Sequence, residues 1–324
     1  MNINQWLIKC AFLFILLLGA GCATDGNQRG HARLHFQPND RIAFVGGTDV
    51  VEAQFTGHLE TLLAVASKNL NVRFRNFGWE GDTVHSQPRE IGFPSLETLL
   101  QREKISLIVL EFGRMESLQG VSALPKFVAA YEKLLDTCSA RTSRLILVTP
   151  PPFEKCEAPL PNLFARNAEL NQYAQAIRKL GRERNLPVVD LFAEFENASS
   201  RNLRLTSNGL QLTTAGQARV AETFARQLGF KKLARRPGRV DENGAWPNRH
   251  HEQLRRMVVA KNRLWFDYWR PQNWAFLGGD RVEQLSSRDH RNPAIRWFPE
   301  EMKNFVPLIE TKEREIFELA NRFP

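Results

Sequence analysis

Residues 41–78 read RIAFVGGTDVVEAQFTGHLETLLAVASKNLNVRFRNFG. The stretch opens with a short apolar strand pattern, RIAFVG (41–46). A helical pattern over 54–70 follows, with Leu59, Leu62, Leu63 and Ala66 on one face, and then a second strand pattern, NVRFRNFG (71–78). Working outward, the alternation continues. SLETLLQRE (95–103) reads as helix and ISLIVLEFG (105–113) as a continuous apolar strand. Residues 124–138 read as helix, with Phe127, Ala130, Tyr131 and Leu134 on one face. RLILVTP (144–150) is a fourth strand, 163–184 a helix, LPVVDLF (186–192) a fifth strand and 213–228 a last helix. Strands that alternate with helices and are apolar on both faces predict a parallel sheet between two helical layers. The expected fold over 40–230 is therefore an α/β three-layer sandwich around a five-stranded parallel sheet.

After Phe230 the composition shifts. KKLARRPGR is a basic stretch carrying Pro and Gly, and residues 231–270 hold eleven basic residues against four acidic ones, a net +7 of the chain's +9. Five of the seven tryptophans fall between Trp246 and Trp297. Helical patterns over 247–269 and 299–322 make 231–324 a mostly helical extension. Its aromatic faces suit either stacking on sugars or packing against the sheet domain.

The N-terminus, MNINQWLIKCAFLFILLLGAGC (1–22), places Lys9 before an apolar run from Cys10 to Leu18. The run is too short to span a bilayer and has the length of a signal-peptide core. Gly19-Ala20-Gly21 before Cys22 resembles the lipobox of bacterial lipoproteins. The expectation is a signal peptide over 1–22, lipidation at Cys22 and a tether over 23–39, with the mature chain exported and anchored in the bacterial envelope. An ordinary secretory signal is the alternative. Export lowers nucleic acid as a partner despite the charge, and it permits a disulfide between Cys138 and Cys156 or leaves two separate thiols. The cysteines lack metal-site spacing, and adjacent His250 and His251 do not share a helix face, so neither metal nor cofactor is expected.

In an open parallel sheet, ligands bind beyond the carboxyl ends of the strands. Gly46-Gly47-Thr48-Asp49 follows the first strand, and Asn76-Phe77-Gly78-Trp79-Glu80-Gly81-Asp82-Thr83 the second. Gly113-Arg114-Met115-Glu116-Ser117 follows the third, and Leu205-Thr206-Ser207-Asn208-Gly209-Leu210-Gln211-Leu212-Thr213 precedes the last helix. In order and spacing these blocks resemble the SGNH (GDSL-type) hydrolases. Residues 261–324 resemble the tail of a bacterial subgroup that often carries Gly-Asn-Thr in the first block. The resemblance implies a nucleophile at Thr48 and oxyanion donors at Gly81 and at the position of Met115. It also implies an acid at the position of Asn208 and a base at that of Gln211.

Only the glycine keeps its family identity. Threonine needs a base to become a nucleophile, and an amide such as Gln211 cannot take a proton near neutral pH. Met115 offers an oxyanion no donor, and losing one such donor typically costs about 10²–10³ in rate. His85, shortly after Gly81, is the one histidine placed to lean toward Thr48 as a substitute base, with Asp49, Asp82, Glu111 or Glu116 as its orienter; a surface loop histidine is the plainer alternative. The sequence thus implies a hydrolase-type lipoprotein that binds or scaffolds without turnover. A slow hydrolase of acetylated carbohydrate using Thr48 is the alternative. The implied partners are the membrane through Cys22 and an acylated carbohydrate or anionic polysaccharide.

Overall fold

The computed structural model describes residues 34–199 and 204–324. The signal peptide, Cys22 and most of the tether lie outside them. Five strands form one parallel sheet: β1 (Arg41–Gly46), β2 (Arg73–Asn76), β3 (Leu107–Glu111), β4 (Leu145–Thr149) and β5 (Val188–Asp190), in the order β2-β1-β3-β4-β5. The strands are apolar on both sides because helices cover both faces. The helices are α1 (Thr48–Thr56), α2 (His58–Ala66), α3 (Leu96–Arg102), α4 (Arg114–Ser117), α5 (Leu124–Ser139), α6 (Asn167–Glu183), α7 (Leu191–Ser199) and α8 (Thr214–Gln227). The extension adds α9 (Lys231–Arg235), α10 (Arg249–Trp269), α11 (Trp274–Leu277), α12 (Trp297–Lys303) and α13 (Phe305–Asn321).

Alternate residues of the central strands feed two cores. Ile42, Phe44, Leu107 and Val109 pack with Leu62, Leu63, Val220 and Phe224 of α2 and α8. Ala43, Val45, Ile108 and Leu110 pack with Leu99, Phe127, Tyr131 and Ile177 of α3, α5 and α6. The single helix expected over 54–70 is two, because Gly57 takes a left-handed φ of 71° and closes α1 before α2 begins. The sequence reading also missed α7 and α9.

The extension supplies both cores. Leu254, Val258 and Ile316 enter the first, and Trp265, Trp269 and Ile309 the second. It also covers the outer edge of β2, whose backbone would otherwise lack partners. Trp265 Nε1 donates to the Asn76 carbonyl at 2.9 Å, and Lys261 Nζ donates to that of Phe74 at 3.4 Å. Lys261 pairs with Glu60 at 2.6 Å, and Arg75 pairs with Glu103 of the α3 end and Glu313 of α13. Trp246, Trp265 and Trp269 are buried, so most of these tryptophans pack the molecule together, while Trp297 remains exposed.

Cys138 and Cys156 are both free. Cys138 ends α5 just before β4, at the amino ends of the strands, and burial pushes its thiol up to about 12. Cys156 lies beyond the carboxyl end of β4, with its Sγ 3.3 Å from the Pro161 carbonyl. The length of β4 separates them, so of the two alternatives the pair of separate thiols holds.

Candidate functional site

A cleft of about 310 Å³ opens at the carboxyl ends of the strands. It lies where the strand order turns from β1 to β3, the expected place for a ligand. Gly46 makes the first corner possible, since a Cβ there would sit 2.5 Å from the Glu111 carbonyl oxygen. Thr48 opens α1 at the cleft, and Glu52, one turn later, lies on the same face. The second corner is Gly113, whose φ of 112° is open to glycine and which starts α4, bringing Arg114, Met115 and Glu116 to the wall. Asn208, Leu210 and Gln211 come from the loop before α8, and Asp82 from the loop after β2.

The structure therefore brings Thr48, Met115, Asn208 and Gln211 together, as the sequence implied. Their chemistry differs from a catalytic triad. Among the described residues the Thr48 hydroxyl makes no hydrogen bond. Gln211 turns its amide to α1, where Nε2 donates to Glu52 Oε1 at 2.7 Å. Asn208 holds backbone instead, its Oδ1 accepting from the N–H groups of Leu210 and Gln211 at 3.1 and 2.7 Å. The position that orients the family's base is thus a turn former here, and the carboxylate on the Gln211 side chain is Glu52. Met115 is half exposed at the rim.

Two expected residues fall outside the lining. Gly81 has a φ of 81° and open space around it, and its block reaches the cleft through Asp82. His85 does not line the cleft and makes no bond to Thr48. Val84 is buried in the core with its N–H on Glu116 Oε1 at 2.8 Å, and the chain bends there, leaving His85 half-buried with its Nε2 enclosed and without a hydrogen-bond partner among the described residues.

The cleft is acidic. Asp49 is held by Arg114 Nη1 at 2.7 Å to both carboxylate oxygens. Asp82 is held by Arg89 at 2.7 and 2.8 Å, with the Arg89 guanidinium over the Trp79 ring. Burial pushes Asp82 and Glu52 above the usual carboxylate range. Glu111 is pushed up to about 8, first by burial and then by the Asp49 charge, against the pull of Arg114. Glu116 accepts the Val84 and Gly113 N–H groups and fixes the α4 corner. Sequence reasoning overlooked Glu52 and Arg114. Helical spacing of four from Thr48 would have found the first, and the second sits inside the third block. Among the described residues no group of His, Cys, Asp and Glu is arranged to hold a metal ion, and no helix is long and apolar enough to cross a membrane.

Several known proteins share this architecture. A solved gut microbial diltiazem-metabolizing enzyme is similar at 10% identity and a TM-score of 0.64, over 90% of this chain and 98% of that one. An acetylxylan esterase from Geobacillus stearothermophilus is similar at 18% identity and a TM-score of 0.47, over 61% and 97%. The first likeness shows the fold alone, and the second is too distant to carry more. No curated protein matches the sequence. The model of the GDSL-like lipase/acylhydrolase family matches residues 42–219, which run from β1 into α8 and contain all four blocks around the cleft. With more than half of its length matched and the blocks meeting in one cleft, the chain belongs to the GDSL-like lipase/acylhydrolase family.

Proposed function

We propose that this family member is an exported lipoprotein, anchored through Cys22, whose cleft binds an uncharged acylated carbohydrate without efficient hydrolysis. The observation that carries the proposal is the Thr48 hydroxyl, which makes no hydrogen bond to a base among the described residues. General-base assistance is worth about 10²–10⁴ in rate, and the oxyanion donor lost at Met115 about 10²–10³ more. Asp49, Glu52, Asp82, Glu111 and Glu116 around the cleft favour a neutral ligand over an anionic polysaccharide. Hydroxyl-rich ligands suit such a wall, where carboxylates accept and Gln211, Asn208 and a protonated Glu111 donate.

Calorimetric titration with acetylated xylo-oligosaccharides, followed by analysis of released acetate, tests the proposal. The expected result is saturable binding with acetate release at the uncatalysed rate. Release above the uncatalysed rate that disappears in Thr48→Ala would overturn it and establish the second reading, a slow ester hydrolase. That second reading draws on Glu111, a carboxyl at the cleft wall lifted to about 8, which becomes free to accept a proton as the pH rises toward that value. For the anchor, wild-type protein should incorporate labelled palmitate and Cys22→Ala should not; equal labelling of both would refute lipidation at Cys22.

A further inference from the structure

The cleft lies at the carboxyl ends of the strands, where Asp49 and Asp82 are paired with Arg114 and Arg89. The opposite pole carries α9. Lys231, Lys232, Arg235 and Arg239 are exposed there and have no acidic partner among the described residues. Arg236, beside them, donates to the Pro324 carbonyl at 2.6 Å. The neighbouring Phe323 carbonyl accepts from Lys68 at 2.6 Å, and Lys68 leads into the amino end of β2.

The described chain begins at this same pole. The Leu34 N–H donates to the Leu228 carbonyl at 3.1 Å, and the Phe36 ring stacks on Phe230 at 5.7 Å, one residue before α9 starts. Eleven residues lie between Cys22 and Leu34, twelve residue steps that span roughly 40 Å at full extension. A body of this size is roughly 50 Å across by the usual scaling of radius with length. A chain held at Cys22 therefore cannot pass around the body and bring the cleft pole to the membrane.

We propose that the α9 face docks on an anionic bilayer surface and holds the cleft pointing away from it. This rests on the anchor proposed at Cys22. The anchor sets which pole comes near, and charge sets whether contact follows. Attraction between a cation and an anionic leaflet fades within a Debye length of about 8 Å at physiological salt, so the face must meet the headgroups directly. A soluble anionic polymer could neutralise the same cations, but it would not account for the coincidence of this face with the start of the described chain.

The test uses the mature protein, purified from bacterial membranes with Cys22 at its N-terminus, added to vesicles of phosphatidylcholine alone, or of phosphatidylcholine with phosphatidylglycerol, with flotation and hydrogen exchange as readouts. Flotation with pure phosphatidylcholine reports the lipid anchor by itself. The expected result is slower exchange over residues 231–239 on the phosphatidylglycerol vesicles only, reversed by high salt. At about 1 kcal/mol per cation, the combined variant Lys231→Glu, Lys232→Glu, Arg235→Glu should lose that protection and about a hundredfold in salt-sensitive partitioning. These side chains are exposed and make no hydrogen bond or ion pair among the described residues, so the variant should melt with the parent. Equal exchange over 231–239 on both vesicles, protection at the cleft rim, or a triple variant whose salt-sensitive partitioning to phosphatidylglycerol vesicles is unchanged would overturn the proposal. Dextran sulfate protecting 231–239 where phosphatidylglycerol does not would also overturn it, in favour of a polymer. Failure to float with pure phosphatidylcholine would refute the anchor alone, and the phosphatidylglycerol arm would still decide the face.

Discussion

Glu52 offers a way to restore chemistry to the cleft. Gln211 already directs its Nε2 to Glu52 Oε1 at 2.7 Å, so a histidine at 211 would find a carboxylate waiting for one of its ring N–H groups. The other nitrogen would then be basic, the arrangement by which a carboxylate fixes the tautomer of a catalytic imidazole. The perturbation is the triple variant Thr48→Ser, Met115→Asn, Gln211→His, with Asn208 left in place because it holds the turn. The base should supply about 10²–10⁴ and the asparagine donor about 10²–10³, so the product is at least about 10⁴ where geometry is good. Single changes should gain little, since triad members act as a unit. The assay is p-nitrophenyl acetate hydrolysis, with pH dependence recorded. Adding Glu52→Gln to the triple variant should remove most of the gain. A folded triple variant at the background rate, or a gain unaffected by Glu52→Gln, would refute the placement of Glu52 and Gln211 as the site's remaining base frame.

Two further outcomes follow from packing and titration. Trp265→Ala removes a fully buried ring, its bond to Asn76 and its contacts with Phe77 and Arg75, and should cost about 3–5 kcal/mol in urea unfolding; a loss below about 1 kcal/mol would show that the extension is not part of the core. Glu111 binds its proton more tightly folded (about 8) than unfolded, so between about pH 4.5 and 8 the native state holds the extra proton and its contribution makes stability fall as pH rises. Denaturant midpoints measured from pH 5 to 8 should therefore fall less steeply in Glu111→Gln than in the parent, and parallel curves would contradict the raised titration.

The sheet was legible because each strand is a short apolar run bounded by helical spacing, and five such runs can be buried only as a parallel layer. The break at Gly57 was hidden because Leu59, Leu62 and Leu63 continue the apolar stripe of α1, and a left-handed glycine leaves that spacing undisturbed. The blocks of the cleft were readable from position alone. Their hydrogen bonds were not, because side-chain direction is settled by neighbours distant in sequence. Gln211 meets Glu52 from across the chain, and His85 is half-buried away from the cleft lining with its Nε2 enclosed. The extension looked like a separate basic appendage. Its tryptophans were undecided between sugar platform and core until β2 was seen to be an edge strand whose carbonyls Trp265 and Lys261 cap.

In the proposed reading Thr48 stands at the nucleophile position and makes no hydrogen bond to a base among the described residues. Its most direct test compares p-nitrophenyl acetate hydrolysis by the parent protein and Thr48→Ala under identical conditions. Both proteins should hydrolyse it at the same rate, close to that of buffer, with no acetyl group retained on the protein by mass spectrometry. A parent rate well above buffer that falls tenfold or more in Thr48→Ala, or an acetyl adduct on Thr48, would contradict it.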